Sequence, residues 1–124
     1  MIFVNWIIGP HLIGLIFILA GMIQKRYPPK EINSLYGYRT ALSMKNQQNW
    51  DEGNRYSTAL IIKCGWALVV AGLVITGLLN MVLLSAQITA LIKVGLMLAG
   101  AFVTVIILFR ATEKHLKNKF EQNT

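Results

Sequence analysis

The residues best suited to chemistry in this sequence fall between positions 33 and 54. Arg39 closes the run Tyr36-Gly37-Tyr38-Arg39, and its planar guanidinium can make two parallel hydrogen bonds to a phosphate or a carboxylate. Asn33, Asn46 and Asn54 each carry a donor and an acceptor, which suits fixing a loop or gripping a polar ligand. Trp50 and Asn54 stand four apart, so on a helix they share a face that Ser57 and Ile61 continue. Gly37 between two tyrosines predicts a tight turn that sends Tyr36 and Tyr38 into different surroundings. The candidate ligand-binding set is therefore Asn33, Tyr36, Tyr38, Arg39, Asn46, Trp50 and Asn54. A second reading stays open: Tyr, Trp and Arg form ordinary anchoring belts at membrane interfaces, and asparagines cap helices and turns.

Outside that stretch the reactive residue types are sparse. Cys64 is the single cysteine, which excludes an internal disulfide and a thiolate metal cluster, and its apolar neighbours favour an inert packing role. His11 and His115 are predicted on opposite sides of a bilayer, too far apart to share a metal. His11, beside Pro10, is expected as a hydrogen-bonded side chain near a kink. Asp51 and Glu52 are adjacent and point apart on a helix. No catalytic residue, metal site or cofactor is expected.

These residues need elements to hold them, and the composition says which. Of 124 residues, 55% are hydrophobic and 14% charged, too few charges to cover a soluble domain. The apolar residues come in long runs: Met1 to Gln24 has no charge, and Cys64 to Phe109 has Lys93 alone. Crossing a bilayer takes about 20 helical residues. The first run supplies a span of about 3–23, expected to be retained because no basic segment precedes it as in a cleaved signal peptide. The second is long enough for a hairpin of two spans, about 60–84 and 88–109, turning at Ser85-Ala86-Gln87, with a turn at Asn80 as the alternative. The fold class expected is all-α, one membrane domain over 1–124 of three transmembrane helices, with a structured loop at 24–59 and a tail at 110–124.

The formal charge of +7 sits at the ends of the apolar runs, which points to topology signals and contacts with anionic membrane lipids and away from direct nucleic-acid binding. Loop 24–59 and the tail hold the flanking lysines and arginines, so both are expected in the cytoplasm, with the amino terminus outside. Lys93 is expected to snorkel to the outer interface. Pro28-Pro29 ends the first helix, and Asn49 with Glu52 forms a capping-box pattern that starts the second near Trp50. Small pairs at Ala67/Ala71, Gly95/Ala99 and Gly100/Thr104 are candidates for close helix packing.

The pattern Ile32-Asn33, then Tyr36-Gly37-Tyr38-Arg39-Thr40, then Ser43, Asn46, Trp50 and Asn54 resembles the SdpI family of bacterial membrane immunity proteins. The match covers Pro29 to Asn54, and the chain resembles the signature-bearing portion of a larger founding protein with additional spans. The resemblance implies protection of a producing cell from a secreted toxic peptide, by binding the peptide or shielding its target. In the founding system it also implies holding a transcriptional repressor at the membrane. A different class, an oligomeric transporter or flippase-like module for a small amphipathic ligand, is the runner-up and requires homo-oligomer assembly, because three helices are few for a transport path. A lipid-headgroup enzyme ranks third, for want of a nucleophile.

Overall fold

In the computed structural model, which describes residues 6–120, three helices account for most of the chain: α1 (Pro10–Arg26), α2 (Gln47–Asn80) and α3 (Ala86–Phe120). With 34 and 35 residues, α2 and α3 are long and apolar enough to cross a membrane; each extends about 50 Å at 1.5 Å per residue. Their burial pattern is that of a membrane protein. The inward positions are small or polar (Gly65, Gly72 and Thr76 on α2; Lys93 and Thr104 on α3), whereas Leu73, Val74, Leu98, Phe102 and Val103 face outward.

The neighbour relations fix an up-down-up arrangement. Gly14 lies against Gly65 and Gly21 against Ile61 and Ile62, so α1 runs antiparallel to α2. Gly53 lies against Leu116 and Gly100 against Leu68, which sets α3 antiparallel to α2 as well. The α1–α2 crossing is close because a Cβ on Gly14 would stand 2.5 Å from the Gly65 carbonyl oxygen. That approach is the seam that small residues provide. Of the small pairs anticipated, Gly100/Thr104 faces a neighbour, but Gly95 opens onto empty space and Ala67, Ala71 and Ala99 are exposed.

Several boundaries differ from expectation. The span anticipated over 3–23 is not one unbroken helix: Ile8 and Gly9 are bent and α1 starts at Pro10, whose missing N–H suits a first helical position. Residues 3–5 lie outside the described set. Arg26 ends α1 just before Pro28-Pro29. The cap of α2 is Asn46 and not Asn49, with the Asn46 Oδ1 accepting from the Asn49 N–H at 2.8 Å. Glu52 is thereby freed from capping and lies a turn inside the helix. The hairpin turn occupies 81–85, not 85–87: α2 stops at Asn80, and the Ser85 hydroxyl accepts from the Ile88 N–H at the start of α3. The supposed tail is helical to Phe120, because nothing between Arg110 and Phe120 breaks a helix. Lys93 is 2% exposed and does not reach outward. It is buried, as are Thr104, Thr112 and Leu116 of the same helix, and lies nearly in line with Thr104.

Candidate functional site

The connection from Tyr27 to Asn46 has no regular secondary structure, so side chains must satisfy its backbone. Asn33 makes the first turn, its Oδ1 accepting from the N–H groups of Leu35 and Tyr36 at 2.9 and 2.7 Å while its Nδ2 donates to the Glu31 carbonyl. The Tyr36 hydroxyl then ties back to the Tyr27 carbonyl at 2.7 Å. Gly37 follows with φ 111, where any side chain is strained, and a Cβ there would stand 2.6 Å from the Asn54 Oδ1. That proximity lets Asn54 accept from the Tyr38 N–H at 2.6 Å and donate to the Trp50 carbonyl at 2.9 Å. Ser43 closes the next turn, accepting from the Thr40 N–H and donating to the Tyr38 carbonyl.

Beneath the loop, Trp50 is wholly buried and its Nε1 donates to the Pro29 carbonyl at 2.7 Å. Asn49, also buried, donates to the Leu42 carbonyl. The first turns of α2 thus hold the loop at both ends.

The carboxyl-terminal turns of α3 hold it from the other side. Glu113 Oε1 accepts from the Tyr38 hydroxyl at 2.7 Å and from the Thr40 hydroxyl at 2.6 Å, and the Tyr38 and Phe109 rings meet at 5.5 Å. Burial, reinforced by the neighbouring Glu113 carboxylate, pushes the Tyr38 hydroxyl well above its usual pKa, so it stays a donor. A second clasp lies on Glu52. Arg55 forks onto it with two 2.7 Å bonds, His115 Nε2 lies 2.6 Å from Oε2, and Lys119 Nζ lies 3.3 Å away. The Arg55 bonds, joined by those of His115 and Lys119, pull the Glu52 pKa down to about 2 against the opposing effect of burial. Tyr56 stacks on the His115 ring at 4.1 Å.

The seven residues singled out from sequence thus divide. Asn33, Asn46, Trp50 and Asn54 shape the loop and the helix start, Tyr38 is buried in the clasp, and Tyr36 is part-exposed. Arg39 remains exposed, with one guanidinium nitrogen donating to the Ser34 carbonyl. It stands beside Gly37 and Tyr38 at a cleft of about 230 Å³ whose other walls are Gln24 of α1, Ser57 and Ile61 of α2, and Leu108 and Phe109 of α3. All three helices and the loop contribute, and the cleft joins Arg39 to the apolar Ile61, Leu108 and Phe109 and the polar Gln24 and Ser57, a combination suited to an amphipathic ligand bearing an acid group. Glu113 and Gln24 escaped the sequence reading. Glu113 is the only acid between Glu52 and Glu121, placed just past an apolar run among lysines and arginines, and that isolation was its one signal.

A family model described as the SdpI/YfhL protein family matches residues 30–110, from the loop through both long helices to the level of the cleft. The chain belongs to that family. This family member is 42% identical over 104 residues to the uncharacterized protein YfhL of Bacillus subtilis (strain 168), covering 84% of this chain and 82% of the relative. No solved structure matches.

Proposed function

We propose that the chain is a non-enzymatic membrane immunity protein that protects a bacterium from a secreted, membrane-active toxic peptide. Membership of the SdpI/YfhL family supports the class. The observation that carries the reading is Arg39, left exposed at a three-helix cleft while the other polar signature residues are spent on holding the loop. An amphipathic peptide, or the lipid or protein target it attacks, would meet the guanidinium through an acid group and the Leu108–Phe109 wall through an apolar one. In this reading α1 completes a third crossing, the loop and the end of α3 face the cytoplasm, and the amino terminus is outside, because the flanking lysines and arginines gather at the loop end.

The test is deletion of the gene in its own host. Deleted cells should lose viability in spent medium of the parent strain, and re-expression should restore it. Indifference of the deleted strain to that medium, under conditions where the parent makes the protein, would defeat the reading.

A further inference from the structure

A second, larger cleft of about 620 Å³, which shares Gln24 with the first, opens between the end of α1 and the first turns of α2. Asn54 and Pro29, which hold the signature loop, form part of its wall, but Arg39 does not. The cations of this cleft are Lys25, Lys30, Arg55 and Lys63, against the single acid Asp51. Arg55 is held by Glu52, and Asp51 accepts from Gln47 at 2.7 Å. Lys25, Lys30 and Lys63 make no ion pair among the described residues. Pro28, Pro29, Ala59 and Ile62 give the cleft a predominantly apolar lining, joined by the polar Gln24, Asn54 and Thr58.

We infer that this cleft binds the headgroup of one anionic phospholipid, from the leaflet on the side of the basic flanks. The level is right, since Lys63 is the last cation before the uncharged stretch of α2 and Lys25 the first after that of α1. The charge is right, since Lys25, Lys30 and Lys63, which make no ion pair among the described residues, all line one concave site, and phosphate is the anion that a membrane presents there. A free inorganic anion would leave the apolar lining unused, whereas the glycerol and upper acyl segments of a lipid cover it and continue along the exposed apolar residues Met22 and Ile23 of α1. The inference is independent of the immunity reading, which concerns the other cleft.

The full chain in mild detergent is titrated with dioleoyl phosphatidylglycerol and with dioleoyl phosphatidylcholine, and bound lipid is counted by native mass spectrometry. One phosphatidylglycerol should bind in preference to phosphatidylcholine, and excess inorganic phosphate should not displace it. Lys25→Gln with Lys63→Gln should weaken binding at least about tenfold, as loss of two membrane-facing cations implies. Ala59→Trp, which fills the cleft without changing charge, should weaken it similarly. The charge-matched pair Lys114→Gln and Lys117→Gln, away from the cleft, should bind like the parent. Thermal melting of each variant checks its fold, and Lys25→Gln with Lys30→Gln replaces the first pair if Lys63→Gln fails to insert. Equal binding of the two lipids, displacement by phosphate, equal weakening by the tail pair, or parental binding by a folded Ala59→Trp would each overturn the assignment.

Discussion

The Tyr38 hydroxyl donates to the Glu113 carboxylate across 2.7 Å, and through that bond the loop before α2 is fastened to the last turns of α3. Thr40 donates to the same oxygen at 2.6 Å, so a single acid, 75 residues from Tyr38, holds the two loop residues that flank Arg39. Hydrogen bonds to a charged acceptor contribute about 1.5–3 kcal/mol each.

Glu113→Ala should therefore destabilise the protein by about 2–3 kcal/mol, since it removes the carboxylate that accepts from two hydroxyls and leaves Tyr38 only the longer bond to the Phe109 carbonyl. Tyr38→Phe alone should cost about 1–2 kcal/mol, and the double variant less than the sum of the two. Denaturant unfolding in detergent measures all three. Strict additivity would show that the two residues are not coupled.

Gly37→Ala should cost about 1–3 kcal/mol, because φ 111 and the nearby Asn54 Oδ1 both exclude a side chain. Gly95→Ala is the matched control. Nothing lies within reach of a Cβ there, and alanine is the better helix former, so that variant should melt at or above the parent temperature. A reversed order would contradict the loop geometry.

Glu52 gives a pH dependence of definite sign. Its pKa is about 2 in the folded chain against an ordinary 4.5, chiefly because Arg55 stabilises the charged form. A depressed carboxylate pKa adds stability that is complete above about pH 4.5 and is lost as pH falls toward 2. The stability gap between parent and Glu52→Gln should be widest above pH 5 and should close on acidification through that window. A constant gap would mean that the clasp does not act through the charge of Glu52.

What the sequence disclosed, and what it hid, follows from how local each cause is. The two long helices and the end of α1 were legible because uncharged runs and Pro28-Pro29 act through their immediate neighbourhood. The second helix starts three residues before Trp50 because Asn46 and Asn49 are both competent caps, and the tie from Asn49 to the Leu42 carbonyl engages the Asn49 side chain elsewhere. The hairpin turn was displaced toward the polar patch because Ser85 caps α3 instead of sitting within the turn's centre. In the site, the motif was visible as a set, but the division into holders and one exposed guanidinium was not. That division depends on Glu113 of α3 and Gln24 of α1, which meet the loop and its cleft only through the fold. Lys93 differs for the same reason: its depth near the end of the span favours snorkelling, but the face of α3 that carries it turns it inward.

Sidedness is open to direct labelling. In a Cys64→Ala background, Leu83→Cys places a thiol at a fully exposed turn and Gln48→Cys places one on the exposed first turn of α2. An impermeant thiol reagent on intact cells should label the first and spare the second until the cells are opened. The reverse pattern would invert the topology.

The central claim is that the exposed guanidinium of Arg39, by its shape as well as its charge, makes the cleft protective. Arg39→Lys keeps the charge but loses the planar fork, and removal of one charge-assisted bond of about 1.5 kcal/mol corresponds to about tenfold in affinity. The deciding measurement is survival of the gene-deleted host in parental spent medium when it carries the parent, Arg39→Lys or Lys117→Ala, with membrane abundance matched by quantitative blotting. Arg39→Lys should fail to protect at full abundance while Lys117→Ala protects like the parent. Protection by Arg39→Lys equal to the parent at equal abundance would show that the cleft does not act through Arg39, and the account would be wrong.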